Sequence, residues 1–179
     1  MSSPTAFLIS YLDEETAFWV LESMLRSDKY KSLRRLYTHD FPLLHEFLFI
    51  HDKFVQRLCP KLFAHLQHIN LFSTAYAFRW YHMLFAEFPA ELVARVWDIL
   101  LLEGIKILFR MALLLLKRME KELLTMDFER AILALQDIQY EAWLEDSDTV
   151  ITQALSIGMT RKQVESYSQQ YAASKASST

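Results

Sequence analysis

The sequence predicts an all-α protein, a multi-helix array, and three observations carry that reading. Only two glycines and four prolines occur in 179 residues, whereas an all-β or doubly wound fold needs many more turn residues. Apolar residues make up 53% of the chain and aromatics 14%, ample material for a core at this length. The apolar residues recur at helical spacing, and neither an internal repeat nor a strand-like alternation interrupts them.

Taken in order, the first firm helix is expected over 13–26, where Asp13-Glu14-Glu15 suits the positive end of a helix dipole and Ala17, Phe18, Leu21, Met24 and Leu25 share a face. Asp40 ahead of Phe41-Pro42 reads as a cap with proline in the first turn, opening a long helix to about Leu58. Pro60 starts a short helix ending near Asn70, and Ser73 is placed to cap a further one. In that segment Tyr76, Phe78, Trp80, Met83, Leu84, Phe85 and Phe88 are apolar on nearly all sides, which predicts one buried helix over 73–88 at the middle of the bundle. Pro89 opens a helix that Gly104 ends in a left-handed conformation. A strongly apolar helix over 105–126 follows, then one over 128–137 capped by Asp127, one over 149–156 after Ser147-Asp148, and a last one from the capping box Thr160-Arg-Lys-Gln163 toward Tyr171. Residues 1–171 read as one helical domain, and 172–179, small and polar, as a frayed tail.

Composition excludes several function classes. A net charge of −3 and a pI near 6.1 provide no basic field for nucleic acid. The amino terminus lacks the basic start of a signal peptide, and the richest apolar run, 99–116, carries Glu103, Lys106 and Arg110, so no transmembrane segment is expected and the location reads as cytoplasmic. The lone Cys59 reads as a buried thiol. His65 and His68 share a helix face, but no ligand-like carboxylate or thiolate accompanies them, so no metal is expected. Neither glycine belongs to a phosphate loop, so no cofactor is expected, and no serine elbow or activated cysteine offers a nucleophile.

The awkward residues are the charges inside the dense apolar stretch: Arg79, Arg95, Asp98, Glu103 and Arg110. Burial there is costly without partners, so they are expected to pair along and between helices, with Glu91–Arg95 and Arg95–Asp98 at pairing distance along one helix and arginine stems lying on Trp97 and Phe109. The stripe Tyr76, Trp80, Phe85, Phe88 reads as core, and so does Phe47, Phe49, Phe54, with an exposed contact at Phe49 and Ile50, off the main stripe of their helix, as the less favoured alternative.

The block Phe78-Arg79-Trp80-Tyr81-His82-Met83-Leu84-Phe85-Ala86-Glu87-Phe88-Pro89, followed by Arg95-Val96-Trp97-Asp98, Glu103-Gly104 and Leu108-Phe109-Arg110, resembles the carboxy-terminal half of TBC domains, the Rab GTPase-activating modules. Asp13-Glu14-Glu15-Thr16-Ala17-Phe18-Trp19 resembles that family's acidic turn and Ala-Phe-Trp helix, so the likeness spans about 7–124, with additional helices over 127–171. It implies a multi-helix orthogonal array in which Arg79, Trp80, Pro89, Arg95, Trp97, Asp98, Glu103, Gly104, Phe109 and Arg110 are structural.

The family accelerates GTP hydrolysis with an arginine from an Ile-x-x-Asp-x-x-Arg motif and a glutamine from a Tyr-x-Gln-Gly motif, both ahead of the acidic turn. Neither motif occurs in this sequence. The resemblance therefore assigns no catalytic residue here and places the fingers upstream of Met1, in a missing amino-terminal subdomain. It implies a regulator of Rab-family small GTPases, inactive alone, that acts in membrane trafficking, with GTP and Mg²⁺ belonging to the partner and endomembrane association only through partners. An exposed apolar face where the other half belongs, open to self-association, is also expected. A non-catalytic binding module (a pseudo-GAP) and a helical scaffold remain the alternatives.

Overall fold

The computed structural model describes residues 2–177, and every element in them is helical. The α-helices are α1 (Ser2–Tyr11), α2 (Glu14–Arg26), α3 (Pro42–Leu58), α4 (Pro60–His68), α5 (Ser73–Tyr76), α6 (Phe78–His82), α7 (Ala90–Glu103), α8 (Lys106–Leu123), α9 (Phe128–Gln136), α10 (Ser147–Ser156) and α11 (Arg161–Ala176). Short 3-10 turns at Asp28–Tyr30, Leu33–Leu36, Ile138–Tyr140 and Ala142–Glu145 link them. None of the described helices is long and apolar enough to cross a membrane.

Local capping chemistry sets many of the boundaries. The Asp13 carboxylate accepts from the Thr16 amide at 3.0 Å, Asp127 from Arg130 at 3.0 Å and Asp146 from Thr149 at 3.1 Å, each satisfying an orphan donor of a first turn. Thr160 and Gln163 form the expected reciprocal capping box. Two expected caps differ. Asp40 turns its carboxylate to His39, and the helix is entered through left-handed Asp40 and Phe41, the fixed φ of Pro42 then starting α3. Ser73 lies inside α5, buried, with Phe72 preceding it.

The segment expected as one helix over 73–88 is instead two short helices and a turn. Leu84 and Phe85 both adopt positive φ, which no helix tolerates, and the turn is held by the Trp97 indole donating to the Leu84 carbonyl at 2.9 Å. Apolar periodicity could not register this, because the same residues are buried in either conformation. The most enveloped helix is α8, in which the residues from Ile107 to Leu116 are buried except Arg110. Helix α1 was missed because its apolar residues spread around its axis; tertiary contact holds it, with Leu8 buried and the Phe7 ring 5.0 Å from Trp97.

The carboxy-terminal part closes over α3. Tyr171 packs on Phe49 at 5.5 Å between ring centroids and Tyr167 on Phe54 at 5.0 Å. Ser168 and Lys31 converge on the buried Glu46 carboxylate. Phe49 is therefore partly covered and Ile50 buried, which fits the core reading of this stripe and not its alternative. Helix α11 runs on through Ala172 to Ala176, where a frayed tail was expected, and residues 178–179 lie outside the described residues.

Gly104 ends α7 at φ +85° and ψ −167°, outside the left-handed helical well and in a region reserved for glycine. The turn at Asp28–Tyr30 presses against it: a Cβ at residue 104 would stand 2.9 Å from the Lys29 carbonyl oxygen. This approach lets the Lys29 ammonium (2.6 Å) and the Tyr30 hydroxyl (3.0 Å) donate to the Leu101 carbonyl, an acceptor left over at the helix end. Gly104→Ala is expected to cost about 1–3 kcal/mol in urea unfolding through backbone strain and the displaced turn. An unchanged midpoint would show that this turn does not need the glycine.

Candidate functional site

Of the five charged residues singled out from the sequence, Arg79, Arg95, Asp98 and Glu103 are exposed instead of buried, and those that form ion pairs do so with partners other than those expected. Arg79 on α6 forks onto Glu87, Nε to Oε2 at 3.1 Å and Nη2 to Oε1 at 2.8 Å, which clamps the turn carrying Leu84 and Phe85. Arg95 reaches across to Asp148 on α10 at 2.9 Å instead of pairing with Glu91 or Asp98 along its own helix. Asp98 is exposed, and Glu103 meets Lys106 at 3.3 Å. Arg110 is half-buried, with Nη2 3.5 Å from the Met159 carbonyl and Nε without a partner.

The apolar members are core. Trp80 and Trp97 are buried, and Pro89 sets the entry to α7. Phe109 is fully buried, its ring centroid 5.2 Å from Phe47 and 5.5 Å from Tyr81.

A buried polar centre that no sequence signal marked lies beside them. His51 on α3 is fully enclosed, with Nδ1 2.9 Å from the Tyr81 hydroxyl and Nε2 3.0 Å from that of Tyr76. A neutral imidazole donates to one hydroxyl and accepts from the other, and burial pushes its pKa down to about 3. Next to it, burial pushes the Asp52 carboxyl up to about 6, against a hydrogen bond from Ser73 and the charge of Lys53. Cys59 is buried and its thiol pushed up to about 11, chiefly by burial, which makes it inert. The Nε2–H of His65 donates to the Met126 carbonyl at 2.9 Å.

Exposed apolar side chains gather on the first two helices. Phe18 and Trp19 on α2 are 58% and 61% exposed, Ile9 and Tyr11 on α1 are more than half exposed, and Trp19, Val20, Tyr30 and Leu101 line an open groove beside them. Large apolar side chains left exposed on two adjacent helices are of the kind that meets another protein surface.

The model of the Rab-GTPase-TBC domain family matches residues 1–124, which includes both the motif block and the α1–α2 face. The chain belongs to this family. Among curated relatives, the GTPase-activating protein GYP5 of Saccharomyces cerevisiae is 30% identical over 159 residues, 87% of this chain and 17% of that protein. The human ecotropic viral integration site 5 protein homolog is 26% identical over 165 residues, 92% of this chain and 20% of its own length. The crystal structure of the Chlamydomonas flagellar RabGAP TBC domain superposes with a TM-score of 0.67 at 28% identity, over 86% of this chain and 50% of that one. The Ypt/Rab-GAP domain of Gyp1p shares the fold, with a TM-score of 0.68 at 23% identity, over 82% and 48%. This TBC chain thus spans about half of the solved TBC domains and about a fifth or less of the curated relatives.

In this TBC chain the ten motif residues do not converge on one catalytic point. Arg79 and Trp97 act at the α6–α7 turn, Glu103 and Gly104 at the α7–α8 turn and Phe109 in the α8 core, whereas Arg95 reaches α10 and Asp98 is exposed.

Proposed function

We propose that this chain is the carboxy-terminal half of a Rab GTPase-activating domain, and that it supplies a platform and a Rab-facing surface while the arginine and glutamine fingers come from the preceding half. The observation that carries this reading is the match to about half of each solved TBC domain, together with a sequence that holds neither finger motif. The motif arginines are consistent with it: none lies in a finger motif, Arg79 and Arg95 pair at the surface with Glu87 and Asp148, and Arg110 is half-buried.

The face of Ile9, Tyr11, Phe18 and Trp19 then meets the other half of the domain, the extra length of the solved domains accounting for its cover. The chemistry is in-line attack of water on the GTP γ-phosphate inside the Rab protein, with nucleotide and Mg²⁺ belonging to that partner and no cofactor held by this chain. The setting is cytoplasmic, at endomembranes through partners.

Phosphate release from GTP-loaded Rab proteins tests the proposal. This chain alone is expected to leave the intrinsic rate unchanged, and a chain extended by a finger-bearing half to raise it by about 10³–10⁵. Acceleration by this chain alone would overturn the division of roles. Rab binding without acceleration in either form would favour the non-catalytic module.

A further inference from the structure

We propose that Tyr140 is a tyrosine phosphorylation site and that Arg79 holds the phosphate it acquires. Tyr140 is 80% exposed, the most exposed large apolar side chain among the described residues. It ends the 3-10 turn Ile138–Tyr140, and Glu141 leaves that turn in an extended conformation at φ −66° and ψ 125°. Fully buried Ile138 and Leu144 pin the segment on either side, so the phenol stands out from an anchored, non-helical stretch that a kinase cleft can engage. Acidic residues flank it in sequence, Asp137 before and Glu141 and Glu145 after.

The other tyrosines are less available. Tyr30, Tyr76 and Tyr81 are buried, and Tyr37, Tyr167 and Tyr171 are partly covered. Tyr11, 57% exposed, lies within α1 with its ring 5.0 Å from Phe7, on the face assigned above to the other half of the domain.

A cation waits beside Tyr140. The groove that Tyr140 lines with Gln139 also contains Glu87, the partner of Arg79, and Arg79, Glu87 and Gln139 line the adjoining pocket. The fork onto Glu87 uses Nε and Nη2 of Arg79, which leaves the Nη1 donors outside it. A phosphate on Tyr140 carries close to two negative charges and competes with the Glu87 carboxylate for that guanidinium. Because the fork clamps the α6–α7 turn, modification at Tyr140 reaches the segment of the family motif.

In the transfer, Tyr140 Oη attacks the γ-phosphorus of ATP. The new O–P bond forms as the bond from the γ-phosphorus to the β,γ-bridging oxygen breaks, ADP leaves, and the phenolic proton passes to the base of the kinase. Nothing is oxidised or reduced.

The test uses the full chain with the catalytic domain of a soluble tyrosine kinase and Mg-ATP, read by intact mass and peptide mapping. One phosphate is expected, on Tyr140; Y140F loses it and Y11F keeps it. No incorporation, phosphate on Tyr11 in place of Tyr140, or equal incorporation by Y140F would overturn the site. Phosphorus NMR then examines the cation: the second ionisation of the phosphate is expected at lower pH in the wild type than in phosphorylated R79Q, and coincident titrations would overturn the role of Arg79. The site stands independently of the Rab-directed reading, since neither readout involves a GTPase.

Discussion

Phe109→Ala is expected to lower the unfolding free energy by about 3–5 kcal/mol, the range for emptying a buried phenylalanine site. The effect belongs at the upper end of core truncations because Phe109 is fully buried on α8 and joins three rings at once: Phe47 and Phe54 of α3 and Tyr81 of α6. Those rings sit on two helices, α3 and α6, each fixed by other contacts, so they cannot all collapse into the space. The cavity term therefore adds to the lost transfer energy. Phe109→Leu keeps most of the volume and is expected to cost about 1–2 kcal/mol. Urea unfolding measures both, and an alanine variant within about 1 kcal/mol of the wild type would mean that the site refills and that α8 is not the rigid centre of the array.

Much of the fold was legible because helix signals are local. Asp13, Asp127 and the Thr160–Gln163 box announced their helix starts through side chains that bond amides three residues on, and the long stripe of α8 announced its burial. The misreadings came where a distant group decides. The turn at Leu84 and Phe85 depends on an indole from α7. The partner of Arg95 lies 53 positions along the chain, on α10, while two carboxylates within helical reach drew the sequence-based expectation. The Tyr76–His51–Tyr81 centre was not legible, since a histidine and two tyrosines at 51, 76 and 81 carry no pattern until α3, α5 and α6 are packed together.

That centre gives the stability a pH dependence whose sign can be worked out. His51 falls from an ordinary value of 6.5 to about 3 because burial disfavours the imidazolium. Between those values the unfolded chain holds a proton that the folded chain lacks, so this contribution is complete above about pH 6.5 and is lost as pH falls toward 3. Asp52 rises from 3.8 to about 6, mainly by burial, with the Ser73 hydrogen bond and Lys53 opposing. Its folded form holds the extra proton between those values, so its contribution is present at low pH and is lost as pH rises through about 6. The two effects oppose each other over most of the interval from pH 6 to 4, where each unit is worth about 1.4 kcal/mol per group. Asp52→Asn removes only the second. The variant is therefore expected to lose about 3 kcal/mol more than the wild type between pH 7 and 4, measured as paired urea titrations at each pH. Comparing the two proteins cancels the remaining carboxylates, which titrate in both. Parallel profiles would mean that Asp52 ionises normally in the folded protein, and a steeper wild-type profile would mean that it is held charged. If His51→Gln is then added to Asp52→Asn, the extra slope should vanish, because the amide can still bond both tyrosine hydroxyls but has no proton to gain.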